Sequence, residues 1–290
     1  MSIVITGATG QLGGLVIKHL LDKKVPANQI TAVVRNVEKA SALADLGVEV
    51  RHGDYNDRAS LEKAFAGASK LLFIPSPDAH DETLRILQHA NVAKAAKDAN
   101  ARQIIYYGYA FGETSQLPLA NTHVITENII RSTNIPFTFL RNPLYTDVFV
   151  NAQSVGAAVQ FGALVANAGA GGVHTVNRYD LALAGAAVLT EDGHENKIYN
   201  LVSNKTWTFE ELAQTIANVS GKPVVYKPVS FDEQKALLVQ AGLPEGIAVM
   251  MSAIYQSVAE GETSKTSDDL INLIGTLTPL EKVVKQSLQG

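Results

Sequence analysis

The chain opens on a short apolar, β-branched run, Ile3-Val4-Ile5. After Thr6 comes a turn with glycine at every third position, Gly7, Gly10 and Gly13. The apolar period then changes, with Leu12, Leu15, Val16, His19 and Leu20 recurring at three- and four-residue intervals. That switch predicts a strand, a tight turn and a helix over 11–23. The same alternation continues down the chain. Apolar runs predict strands over 30–34, 48–51, 70–74, 103–107 and 136–140, and helical spacing predicts helices over 37–46, 60–65, 82–99 and 121–130. Asn121 or Thr122 is the expected N-cap of the last of these. A repeated strand–helix rhythm implies an α/β fold: a Rossmann-type, doubly wound parallel sheet with helices on both faces.

After Tyr145 the pattern changes. From Asn151 to Gly172 small residues dominate and charges are few, which predicts a loop-rich stretch with short strands. A strand is expected over 173–176, an alanine-rich helix over 180–189, and a strand over 197–202 that extends the sheet. Thr208 three residues before Glu211 has the form of a capping box opening a helix over 210–219. A strand over 223–226 and a helix over 230–241 follow, with Phe231, Leu237 and Leu238 as expected core positions. The apolar stripe of 244–258 reads as core or as a cover for a flat ligand, and segments 264–273 and 279–288 complete the chain. The expected division is residues 1–150 as a dinucleotide-binding domain and 151–290 as a small mixed α/β substrate lobe packed on it, with some strands rejoining the main sheet.

The glycine spacing carries specific chemistry. Gly7 permits the turn out of the strand, Gly10 lets a pyrophosphate approach the backbone, and Gly13 lets helix and sheet pack closely. The segment Gly7, Ala8, Thr9, Gly10, Gln11, Leu12 and Gly13 is thus the candidate phosphate cradle, with the helix dipole aimed at the anion. The strand over 30–34 ends at Arg35, with no acidic residue before Glu38. A guanidinium there suits the 2′-phosphate of NADP, where an acidic residue would suit the ribose of NAD. Asp54 reads either as an adenine contact or as a turn or capping residue. Ile74 and Pro75, at the end of the fourth strand, are candidate ribose–nicotinamide contacts, because that loop lies beside the first glycine turn.

Thr6-Gly7-Ala8-Thr9-Gly10-Gln11-Leu12-Gly13, Val34-Arg35-Asn36, Gly53-Asp54-Tyr55, Leu140-Arg141-Asn142 with Tyr145, and Asn177-Arg178-Tyr179-Asp180 together carry a resemblance. The chain resembles the atypical, NmrA-like branch of the short-chain dehydrogenase/reductase superfamily over nearly its whole length. Within that branch it is most similar to triphenylmethane reductases and bacterial NAD(P)H quinone reductases. The resemblance implies that Arg141, Asn142 and Tyr145 meet the nicotinamide half and that Arg178 reaches the cofactor or substrate, although structural ion pairs are the alternative for both arginines.

One departure from the superfamily matters. Its usual Tyr-x-x-x-Lys dyad is missing, and there is no lysine between Lys97 and Lys197. The helix after the fifth strand carries His123 and Glu127 instead, at i and i+4. His123 is a candidate acid/base, or half of an exposed side-chain pair; Tyr109 and Tyr145 are candidate substrate contacts that would stack on a flat ring, or plain packing. Without the dyad, carbonyl chemistry that needs a strong proton donor is disfavoured. A quinone, or a cationic triarylmethane carbon that becomes neutral on taking up hydride, needs little proton help.

Composition narrows the field. With 290 residues, 46% hydrophobic and 18% charged, the chain can bury a real core. A net charge of −4 gives no footing for nucleic acid or an anionic membrane, and the start lacks a signal-peptide pattern, so a cytoplasmic protein is expected. The absence of cysteine excludes disulfides, thiolate catalysis and cysteine-held metal, and the histidine spacing suggests no metal site. The expectation is an NADPH-dependent reductase of an apolar aromatic acceptor, a triarylmethane dye or a quinone. An NADP-binding, redox-sensing regulator without turnover is the alternative, and the apolar pattern leaves a homodimer open.

Overall fold

The computed structural model describes residues 2–78 and 81–289. In chain order the first half runs β1 (Ile3–Thr6), α1 (Gln11–Asp22), β2 (Ile30–Val34), α2 (Ser41–Asp45), β3 (Glu49–His52), α3 (Arg58–Phe65), β4 (Lys70–Phe73), α4 (Glu82–Asp98), β5 (Gln103–Tyr109), α5 (Pro118–Ser132) and β6 (Phe137–Asn142). The second half runs β7 (Leu144–Tyr145), α6 (Thr146–Phe149), α7 (Ala152–Phe161), β8 (Ala163–Ala166), β9 (Thr175–Val176), α8 (Arg178–Thr190), β10 (Lys197–Asn200), α9 (Phe209–Ser220), β11 (Val225–Pro228), α10 (Phe231–Gln240), α11 (Glu245–Ala259), α12 (Asp269–Ile274) and α13 (Leu280–Gln289).

Seven strands form one sheet in the order β10-β6-β5-β4-β1-β2-β3, every pair parallel. The chain order reverses between β1 and β4, so a crevice opens where the loops after these strands diverge. Strand alternation divides the side chains between two faces. Ile3, Ile5, Leu72, Ile105 and Tyr107 pack with α1 and α8, while Val4, Leu71, Phe73, Ile104 and Tyr106 pack with α3, α4 and α5. A separate apolar cluster joins Tyr109 and Phe149 to α7, α9, α11 and α13.

Three expectations are corrected. Residues 151–172 are not mainly loop: Asn151 and Ser154 make a reciprocal capping box, Gly162 closes the helix in the left-handed region, and ten residues between them form α7. Small residues do not by themselves signal a loop, since alanine is also the best helix former. Helix α5 begins at Pro118 rather than beside Asn121 or Thr122, since proline presets the first helical φ and Leu117 supplies no side-chain cap. Asn121 and Thr122 instead donate hydrogen bonds to Glu82 on α4. Leu237 on α10 is exposed, and Phe231 and Leu238 are only partly buried; the buried residue of that helix is Gln234.

The face between α1 and α8 depends on a missing side chain. A Cβ at Gly185 would collide with the Tyr107 hydroxyl, which donates to the Leu181 carbonyl at 2.9 Å. Gly185→Ala is therefore expected to destabilise the fold by about 1–3 kcal/mol through overpacking, read as a lowered urea midpoint. An unchanged midpoint would show that this helix face tolerates the methyl group.

Candidate cofactor crevice and substrate pocket

The crevice is built from backbone. Gly7 sits at φ +59, a conformation that side chains disfavour, and its carbonyl accepts the Gly10 N–H at 2.9 Å. A Cβ at Gly10 would stand 3.1 Å from that carbonyl oxygen, and one at Gly13 would run into it. Gly7 and Gly13 thus need glycine, and Gly10 is crowded against the same carbonyl. Gly10 is the N-cap of α1 and brings no capping side chain, and the first turn holds no acidic residue. The first helical N–H groups are left to an external anion, with the positive end of the helix dipole behind them. These residues fit the pyrophosphate of a dinucleotide.

Beyond the glycine turn the cavity, about 540 Å³, runs past Arg35 at the end of β2 to Ile74, Pro75, Ser76 and Pro77 after β4. Arg35 is exposed at its rim. Arg178, from the start of α8, closes another side. Its guanidinium lies 4.4 Å from the Tyr145 ring centroid and 3.4 Å from Asp147 Oδ2. Tyr145 thus forms a cation–π contact.

A second cavity of about 380 Å³ shares the lining residues Leu12 and Ile74 to Pro77 with the first, so the two adjoin there. Its lining is apolar and aromatic: Tyr109, Leu119, Leu144, Tyr145, Phe149 and Ile254 are among its walls. His123, Asn142 and Arg85 supply polar groups. Asn142 Nδ2 donates to the Tyr145 hydroxyl at 3.1 Å, while Asn142 Oδ1 is buried without a partner among the described residues. Burial raises the pKa of both Tyr109 and Tyr145, so they remain protonated donors.

Most of the residues picked from sequence converge here. Gly7, Thr9, Gly10, Gln11, Leu12, Gly13, Arg35, Ile74, Pro75 and Arg178 line the first cavity, and His123, Tyr109, Tyr145 and Asn142 the second. Ala8 is fully buried beneath the turn. Two residues are held elsewhere. The Asp54 carboxylate closes a turn by accepting the Asn56 N–H at 2.8 Å and lies outside the crevice lining. The Arg141 side chain is buried between Glu127 and Glu113, donating to Glu127 through Nε at 2.9 Å and through a terminal nitrogen at 2.7 Å. Glu127 is therefore the partner of Arg141 and does not form an exposed pair with His123. A buried guanidinium needs that carboxylate more than a surface pair needs it.

Hydrogen bonds from Thr6, Tyr55 and His89 support the crevice. The Thr6 hydroxyl, fully buried, donates to the Leu72 carbonyl at 3.2 Å and accepts the Ile74 N–H at 3.0 Å. The Tyr55 hydroxyl stands 2.6 Å from both Thr6 Oγ1 and the Ile74 carbonyl oxygen. Behind the Ser76 loop, His89 Nε2 accepts the Ser76 N–H at 2.9 Å and its Nδ1 donates to Thr126 Oγ1 at 2.7 Å, which fixes the tautomer. Thr6 and Tyr55 stand in two of the strings that carry the family resemblance, the one opening at Thr6 and Gly53-Asp54-Tyr55, whereas His89 has no such signal.

His123 Nδ1 stands 2.8 Å from the Tyr106 hydroxyl. Desolvation, then the nearby Arg85 and His89, hold its ring well below the ordinary histidine pKa. It is neutral near pH 7. Quinone reduction is expected to show no histidine limb in kcat/KM between about pH 6 and 8, in the wild type or in His123→Gln. A limb present in the wild type and lost in the variant would make His123 an acid/base. His89 is pushed down from 6.5 to about 3 by burial. Between those values the unfolded chain binds a proton that the native state refuses, so stability falls as pH drops from 6.5 toward 3. In His89→Gln the dependence of the urea midpoint on pH is expected to be shallower over that range. An identical slope would contradict the assignment.

The comparisons with known proteins agree with this geometry. The NmrA-like family profile matches residues 1–287. The chain is 65% identical to Citrobacter sp. triphenylmethane reductase in a crystal structure complexed with NADP(H), over 99% of this chain and 100% of that one, with a TM-score of 0.97. It is 41% identical over 283 residues to quinone oxidoreductase 2 of Escherichia coli (strain K12), covering 97% of both. A crystal structure of that NADPH-dependent Escherichia coli enzyme with NADPH superposes at a TM-score of 0.92 over 98% of this chain and 99% of that one, at 40% identity. The chain belongs to the NmrA-like family.

Proposed function

We propose that the protein is an NADPH-dependent reductase that passes hydride directly to a small, flat aromatic acceptor, a quinone or a triarylmethane dye. The observation that carries this reading is that the two cavities adjoin along common lining residues, Leu12 and Ile74 to Pro77. A cofactor with its pyrophosphate on the glycine turn and its 2′-phosphate at Arg35 runs along the first cavity toward the second. Its relatives of high identity include a triphenylmethane reductase complexed with NADP(H) and a quinone oxidoreductase complexed with NADPH.

NADPH bound there supplies a hydride from its nicotinamide ring. The chain's own residues orient and enclose. Thr6 and Tyr55 fix the glycine turn against the Ile74 loop, and His89 holds that loop from behind. Tyr109 and Tyr145 offer ring faces for stacking and protonated hydroxyls for hydrogen bonds. Neither is paired with a lysine that would lower its pKa, so the protein's contribution is proximity and exclusion of water, and the one proton that completes a quinol comes from solvent.

On this reading residues 1–150 are the cofactor-binding part, and residues 151–290 form a lobe that lends Arg178 to the crevice and Ile254 to the pocket. No helix among the described residues is long and apolar enough to cross a membrane, and we place the activity in the cytoplasm. The test is oxidation of NADPH and NADH by the purified protein with a quinone and, separately, with a triarylmethane dye. NADPH-dependent turnover is expected; binding of NADPH without turnover of either acceptor would replace the reductase with a sensor. Arg35→Glu is expected to lower the kcat/KM ratio of NADPH to NADH by about tenfold or more, through loss of a charge-assisted pair with the 2′-phosphate. An unchanged ratio would remove Arg35 from cofactor selection.

A further inference from the structure

Helix α4 is amphipathic the wrong way round at its start. Leu84 and Leu87 face outward, 37% and 58% exposed, while Arg85 turns inward to the substrate pocket. Among the residues lining that pocket Arg85 is the only one with a fixed charge. Among the described residues its Nε is buried without a hydrogen-bond partner, and no carboxylate lies within salt-bridge distance of the guanidinium. The two carboxylates close enough to influence it are engaged elsewhere. Asp78 accepts from Gln88 Nε2 at 2.7 Å and from Ser76 Oγ at 3.3 Å; Glu82 accepts from Asn121 and Thr122, each at 3.0 Å. An unpaired guanidinium in an apolar cavity is unfavourable on its own, and a local inversion of this kind is tolerated where a ligand completes the site.

We infer that Arg85 is the specificity-determining residue of the pocket: its guanidinium receives a carbonyl oxygen of the acceptor, and the site thereby selects neutral or anionic carbonyl-bearing aromatics over cationic dyes. This rests on the reductase reading and narrows its substrate class. When hydride enters a quinone, its electron pair leaves one carbonyl oxygen as an oxyanion. Arg85 donates N–H bonds to that oxygen as the charge develops. Arginine does not release a proton, so the oxyanion is protonated by water. The products are hydroquinone and NADP+; NADPH supplies two electrons and one hydrogen, and solvent supplies the other. A cationic triarylmethane carbon has no such oxygen and meets a like charge, which raises its energy in a low-dielectric cavity.

The test uses Arg85→Gln and Arg85→Lys with 1,4-naphthoquinone and crystal violet as acceptors, and NADPH binding as a check on the fold. Arg85→Gln is expected to lose about ten- to a hundredfold in kcat/KM on the quinone and to gain on the dye, with Arg85→Lys between it and the wild type on both. Equal losses on both acceptors, or no change on the quinone, would overturn the inference. A measurement on the unaltered protein, loaded with NADP+, gives a second readout. The ionised form of 2-hydroxy-1,4-naphthoquinone is expected to bind at least about tenfold more tightly than neutral 1,4-naphthoquinone, as one added charge-assisted bond implies. Equal binding would overturn the inference. If the wild type turns over no quinone, the reductase reading fails, and this binding comparison still decides the role of Arg85.

Discussion

The crevice depends on one buried hydroxyl. Thr6 Oγ1 ties the end of β1 to the end of β4, donating to Leu72 and accepting from Ile74, and Tyr55 braces both from the loop after β3. Parallel strands leave their loops free to diverge, and ladder bonds stop where the strands stop. A side chain must take over if the glycine turn and the Ile74 loop are to keep a fixed separation. Thr6 does so from the last position of β1, with no exposure to solvent that would weaken its hydrogen bonds. Both cavities inherit their common lining residues from this junction.

The same dryness sets the chemistry. Burial holds His123 in the pocket and His89 behind the Ser76 loop neutral and keeps Tyr109 and Tyr145 protonated, so these groups neither gain nor lose protons readily near neutrality. Arg85 alone keeps its charge, because a guanidinium does not neutralise in that range. A pocket of this kind suits a reaction in which the hard step is carried by the cofactor and the protein supplies geometry and one fixed charge. The absence of Tyr-x-x-x-Lys from the sequence and the neutral pocket in the structure are two views of this arrangement.

Much of the fold was legible because its signals are local. Gly7, Gly10 and Gly13 announce a turn that only glycine can make, and Arg35 marks the end of β2. The parallel sheet followed from the strand–helix rhythm. The errors arose where composition stood in for capping. The small residues after Asn151 hid α7, and Pro118 was passed over in favour of Asn121 and Thr122. The site was legible along its backbone and less so in its long-range partners. Arg141 sits beside Asn142 in sequence, yet strand alternation turns it toward Glu127 on α5. Thr6 comes from β1, Tyr55 from the loop after β3, and Arg85 and His89 from α4, and their roles exist only after the sheet has brought these three segments together.

The central claim is direct transfer of hydride where the two cavities adjoin, beside Leu12 and the Ile74 loop. It is tested most directly by single-turnover reduction of a quinone with NADPH carrying deuterium at one or the other of its two C4 positions. A fixed cofactor facing one pocket predicts a primary isotope effect of about two- to fivefold from one epimer and close to none from the other. Equal effects from both epimers, or no effect from either, would contradict a rigid crevice that presents a single nicotinamide face to the acceptor.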